Sequence, residues 1–121
     1  MRRSLLFSFF LFVGCSAPAP KFEGFDKEIW KNDFKGCKGA RVRYLKPLTD
    51  QREKLKGLSE LDLITVLGNP DETNLSEHHN KVYKYYIEPS FECKGDSATT
   101  VLEVRFNATG VSREVAILAI D

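Results

Sequence analysis

Cysteine is scarce in this chain, with three residues in 121. That excludes a disulfide-dense scaffold, which needs many crosslinks in a short secreted chain. A dominant charge is missing as well. Eighteen basic residues against 17 acidic ones give a formal charge of +1, so charge alone does not point to nucleic acid as a partner. Long apolar runs are absent too. The longest lies between Leu5 and Val13, is broken by Ser8, and is far short of the roughly 20 residues a spanning helix requires. Internal repeats are missing, and one short Ser-Ala-Pro stretch is the sole low-complexity segment. Nine Phe, four Tyr and one Trp are enough bulky apolar area for one small core, and the length leaves no room for two.

The N-terminus reads as an export signal. Arg2 and Arg3 precede the apolar run, and Gly14-Cys15 ends it. A positive start, a short apolar stretch and a small residue at the cut define such a leader. The alternative is a buried N-terminal helix. Phe12-Val13-Gly14-Cys15 resembles a bacterial lipobox. That resemblance implies cleavage before Cys15 and acylation of Cys15. Two or three acyl chains, at ~0.8 kcal/mol per buried methylene, hold a protein firmly on a bilayer. The segment from Cys15 to Lys21 then reads as anchor and tether, kept extended by Pro18 and Pro20. Residues 1–14 are the signal and 22–121 a single domain. Losing Arg2 and Arg3 leaves the mature chain near neutral, so no basic membrane patch is needed.

Helices come first. Phe22 to Gly36 reads as one helix, with Asp26 as N-cap, Phe25 and Trp30 as a hydrophobic staple, and Ile29, Trp30 and Phe34 on its apolar side. Arg41 to Leu45 is ambiguous between extended and helical. Pro47 to Lys56 reads as a second helix capped by Thr49. A third starts at Ser59, carries Leu61, Ile64 and Leu67 on one side with Leu63 beside them, and stops at Gly68 before Pro70. Asp71 to Asn80 is polar and reads as a loop. From Lys81 the period becomes two. Lys81 to Ile87, Thr99 to Asn107 and Val111 to Ile120 read as strands, the last two joined by a tight turn at Ala108-Thr109-Gly110. The expected class is α+β: two to three N-terminal helices packed on a three-stranded antiparallel meander.

Gly57-Leu58-Ser59, Leu63, Leu67, Gly68 and Pro70 resemble the helix motif of the SmpA/OmlA family of small outer-membrane lipoproteins. Val82-Tyr83-Lys84-Tyr85 matches the place of that family's aromatic first strand. Leu102-x-Val104-x-Phe106-Asn107-x-x-Gly110 resembles its second strand and turn. The resemblance spans about Gly57 to Val115, and the same small fold occurs in β-lactamase-inhibitor-protein-like domains. It implies an envelope lipoprotein that binds partner proteins or supports outer-membrane assembly. Its motif residues cap, bury and turn, so they define a fold rather than a site. The helix containing Trp30 precedes the motif and is an extra element.

With Cys15 acylated, Cys37 and Cys93 remain. An oxidising compartment favours a bond between them; the alternative is two separate thiols. His78-His79 lies in a polar stretch with too few neighbouring ligands for a metal. Asp71-Glu72 reads as an ordinary turn surface. Trp30, Tyr83 and Tyr85 are the candidate binding residues. Alternation puts Tyr86 opposite Tyr83 and Tyr85, so some aromatic area faces away from the helices unless Trp30 and the first helix cover it.

No nucleophile–base pair, metal set or cofactor motif emerges. The expected function is a non-enzymatic lipoprotein on the outer membrane, facing the periplasm. It would be held to the bilayer by Cys15 and would bind an envelope protein. The alternative is an inhibitor-like or ligand-binding module of the same fold.

Overall fold

Asp26 opens the first helix, α1 (Lys27–Lys31). Its carboxylate accepts from the N–H groups of Glu28 and Ile29 at 3.0 and 3.3 Å, satisfying donors the first turn leaves free. Phe25 and Trp30 close the staple, with ring centroids 5.4 Å apart. This computed structural model describes residues 20–95 and 98–121; the signal, Cys15 and most of the tether lie outside them.

The first helix does not run on to Gly36 as expected. Asp33 ends it. Its buried carboxylate accepts from the N–H groups of Lys38, Ala40 and Arg41 at 2.6, 2.8 and 3.2 Å. The chain therefore curls around that side chain, with one 3-10 turn at Phe34–Gly36. Gly36 is needed there. Its φ is +68°, and a Cβ would meet the Glu88 carbonyl oxygen at 2.9 Å. Phe34, expected on the apolar side, ends up 61% exposed.

The ambiguous segment is helical. Arg41–Tyr44 forms a 3-10 turn leading into α2 (Leu45–Gln51), and Arg52–Leu55 forms another. Pro47 lies in the first turn of α2, where an N–H has no helical partner to lose. Thr49 is not a cap: it sits inside α2, and its hydroxyl donates to the Leu45 carbonyl at 2.7 Å.

The third helix, α3 (Glu60–Leu67), forms where expected. Ser59 caps it by accepting from the Asp62 N–H at 3.1 Å, and Gly68 ends it at φ +79°. Its inward stripe differs from the expected one. Leu63, Val66 and Leu67 are buried, while Leu61 is 74% exposed. Positions i, i+3 and i+4 starting from Leu63 form the face that meets the sheet.

A four-stranded antiparallel sheet follows, in the order β1 (Glu72–Leu75), β2 (Lys81–Tyr86), β3 (Thr99–Phe106), β4 (Ser112–Ile120). A short helix, α4 (Phe91–Lys94), lies in the β2–β3 connection. The class is α+β, with one strand more than expected. The extra strand is β1, in the stretch read as a loop. Glu-Thr-Asn-Leu has no apolar alternation, and only its pairing with β2 makes it a strand.

Helices α1, α2 and α3 lie on one face of the sheet. Tyr83, Tyr85, Leu102, Val104, Phe106 and Val115 point into a core shared with Trp30, Leu48, Leu55, Leu63 and Leu67. Ser112 ties the two layers. Its hydroxyl donates to the Leu55 carbonyl at 2.6 Å and accepts from the Leu58 N–H at 2.9 Å.

The α3 face is tested by truncation. Leu63→Ala is expected to cost about 2–5 kcal/mol in denaturant unfolding, by lost burial and a cavity. Leu61→Ala is expected to stay within roughly 0.5 kcal/mol of the parent.

Candidate functional site

The three aromatic candidates lie in the core. Trp30 and Tyr85 are 0% exposed and Tyr83 is 6% exposed. Tyr83 and Tyr85 share the helix-facing side of β2, as their spacing requires. Trp30 covers Tyr85, with ring centroids 6.2 Å apart. The Tyr83 hydroxyl donates to Glu60 at 2.6 Å and the Tyr85 hydroxyl to the Gly68 carbonyl at 2.8 Å. The aromatic binding surface expected from these residues is therefore corrected: Trp30, Tyr83 and Tyr85 join helices to sheet. Tyr86 does point to the opposite face, but it too is buried, with its hydroxyl donating to Glu72 at 2.8 Å.

A polar network runs through the same layer. Arg41 and Asp71 form an ion pair at 2.5 Å, with side chains 2% and 0% exposed. Arg41 also donates to the Trp30 carbonyl at 2.9 Å and the Tyr86 carbonyl at 3.0 Å. Its guanidinium lies 4.5 Å from the Trp30 ring centroid. Asp71 accepts from the Lys35 N–H at 3.0 Å and the Tyr86 N–H at 2.8 Å. The expectation of Asp71 as turn surface is overturned, because its carboxylate closes a buried network. Nothing in the spacing marks this pair; Arg41 and Asp71 are 30 residues apart.

Cys37 and Cys93 come together. Their Cα atoms are 5.4 Å apart, a separation a disulfide spans. They sit where the loop after α1 meets α4, beside an ion pair between Lys35 and Glu92 at 2.8 Å. Ser90 N–H donates to the Lys35 carbonyl at 3.0 Å across the same junction.

The other sheet face carries the larger concavity, about 910 Å³, between the β1–β2 hairpin and the β3–β4 turn. Lys81, Glu103, Arg105, Arg113, Glu114 and His78 contribute to its lining. Register explains this grouping. Val82, Arg105 and Glu114 form one cross-strand row, and Lys84, Glu103 and Ala116 the next. Opposite charges thus sit on neighbouring strands. His79 occupies the hairpin at φ +63°. A smaller pocket of about 330 Å³ lies on the helical side, lined in part by Lys31, Phe34, Arg41, Ile64 and Pro70.

Among the described residues, no group of three His, Cys, Asp or Glu side chains is placed to hold a metal. No helix among them is long and apolar enough to cross a membrane. No protein-family model, curated protein or solved structure matches the chain.

The tyrosines at the two faces give this arrangement a pH signature. Burial first, then hydrogen bonds to Glu60 and Glu72, push Tyr83 and Tyr86 up to about 12. Glu60 is held below the usual carboxylate range, first by the Tyr83 hydroxyl and then by Lys81. A phenol that holds its proton more tightly when folded favours the folded state below the unfolded value of about 10. That contribution disappears as pH rises from about 10 towards 12. Glu60 contributes in the opposite sense, above its unfolded pKa, and is lost as pH falls. Alkaline titration followed at the tyrosinate absorbance is expected to show Tyr83→Phe and Tyr86→Phe each removing a late-ionising phenol. The Tyr83→Phe protein should lose less stability than the parent between pH 10 and 12.

Proposed function

We propose that this chain is a non-enzymatic outer-membrane lipoprotein whose open sheet face binds an envelope protein. The observation that carries the reading is a groove on the second face. Helices α1 to α3 pack on one face of the sheet; on the other, Val82, Tyr86 and Val101 are buried, and a concavity of about 910 Å³ opens between the two hairpins. Its mixed charges suit a protein surface of complementary pattern better than the uniform charge of a nucleic acid. The lipobox-like Cys15 supplies attachment, and the SmpA/OmlA resemblance supplies the envelope context. The same concavity supports the second reading, a module that inhibits or binds a soluble periplasmic target.

The disulfide belongs to this proposal. Export to an oxidising compartment would join Cys37 to Cys93, across a sequence separation of 56. Closing such a loop stabilises by about 4 kcal/mol in the chain-entropy model. It would hold α4 and the loop after α1 together at the end of the sheet.

The test uses the anchored protein in its own membranes. Intact mass is expected to show cleavage before Cys15 with added acyl chains. A photo-crosslinking residue at Glu103 should trap a discrete protein partner, and one at Leu61 should not. Arg105→Glu should abolish the Glu103 crosslink. Cys15→Ala should abolish it if the partner is membrane-bound and preserve it if the target is soluble. An unacylated mature mass would overturn the anchor, and equal crosslinking from Glu103 and Leu61 would overturn the open face as the binding surface.

A further inference from the structure

Charge is unevenly divided along the chain. Residues 15–56 hold eleven Lys and Arg against six Asp and Glu, and residues 57–121 hold five against eleven. The near-neutral total hides a basic first part and an acidic second one. The first part builds α1, α2 and the 3-10 turns beside them; the second builds α3 and the sheet. Such asymmetry points to a charged partner for one side of the molecule. The basic excess is densest around α2, where Arg43, Lys46, Arg52, Lys54 and Lys56 are all exposed. The acids among them, Asp50 and Glu53, pair with Lys46 and Lys56 at 2.8 and 3.1 Å. Arg43, Arg52 and Lys54 form no ion pair among the described residues.

The chain enters the fold at the same place. Pro20 is the first described residue. Lys54 Nζ donates to the Lys21 carbonyl at 3.3 Å and lies 5.9 Å from the Phe22 ring centroid. The Glu23 N–H donates to Gln51 Oε1 at 2.9 Å, and Gln51 Nε2 donates back to the Glu23 carbonyl at 2.8 Å. The entering segment is thus fixed along α2 and the turn after it. Cys15 and Pro20 are five residues apart, a reach of at most about 18 Å. An acylated Cys15 therefore brings this side of the molecule to the bilayer.

We propose that the basic surface around α2 lies against anionic lipid headgroups, so that the groove on the other sheet face points away from the membrane. This depends on the acylation of Cys15 proposed above. The acyl chains supply attachment, and the charges supply orientation. Each Lys or Arg near an anionic surface strengthens contact about fivefold. The same surface repels the acidic residues of the sheet side, Glu77, Glu103 and Glu114 among them. The root of the tether favours lipid over an acidic protein as the occupant, because the surface it is fixed to is the one the anchor brings to the headgroups.

The full chain, purified from membranes and reconstituted in vesicles that carry a nitroxide-headgroup lipid, tests this. One fluorescent residue is placed at Thr49, in α2, or at Ala108, beside the groove; both positions are exposed. In an equal mixture of phosphatidylcholine and phosphatidylserine, the Thr49 label should be quenched several-fold more than the Ala108 label. The difference should shrink in phosphatidylcholine alone, in high salt, and in the Arg43→Glu, Lys46→Glu double variant. If that variant fails to fold, the lipid-charge and salt comparisons decide. Intact mass separates the anchor from the orientation. An unacylated mature mass would overturn both together. An acylated protein quenched equally at the two sites, or quenched without regard to lipid charge and salt, would overturn the orientation alone.

Discussion

The ion pair between Arg41 and Asp71 fixes where the helical layer sits on the sheet. Both side chains are out of solvent, and removing two charges from water is costly unless the remaining polar groups are satisfied. Here they are used on both sides of the joint. Asp71 accepts from Lys35, in the loop after α1, and from Tyr86, at the end of β2. Arg41 reaches the Trp30 and Tyr86 carbonyls and stacks on the Trp30 ring. An apolar pair of the same volume could match its stability. The polar contacts of the pair join α1, the 3-10 turn at Arg41–Tyr44 and the end of β2 directly.

That relation makes the sheet two-sided. Trp30, Tyr83 and Tyr85 are consumed in joining layers, so they are structural. What remains outward is the charged part of the other face near the two hairpins, while Tyr86 and Val101 are buried towards its far end. The Cys37–Cys93 junction lies at the same end as the Arg41 network, linked through Lys35 and Ser90. A covalent bond there would reinforce the joint that the ion pair defines. The groove between the two hairpins lies at the other end of the sheet from this joint.

What was legible in the sequence was local. The Asp26 cap, the Phe25–Trp30 staple, the Ser59 cap and the Gly68 stop rest on residues a few positions apart, and all are present. The alternation of Leu102, Val104 and Phe106 against Glu103 and Arg105 is equally short-ranged, and it already separated the core face from the open one. Whatever depended on distant partners was not legible. Asp33 ends α1 by binding backbone that comes after it. Glu72 to Leu75 is a strand only because β2 lies beside it. Asp71 looked like turn surface because its partner lies 30 residues earlier. The open groove needed the strand register, so its residues were assigned a face but not a role.

The most direct measurement is a double-mutant cycle on Arg41→Met and Asp71→Asn, followed by denaturant unfolding. Each single change should cost about 3–5 kcal/mol, because it strands a buried charge or donor. The double variant should be more stable than the sum of the singles implies, by about 1–3 kcal/mol of coupling. Additive losses, or singles that cost as little as surface substitutions, would contradict the account.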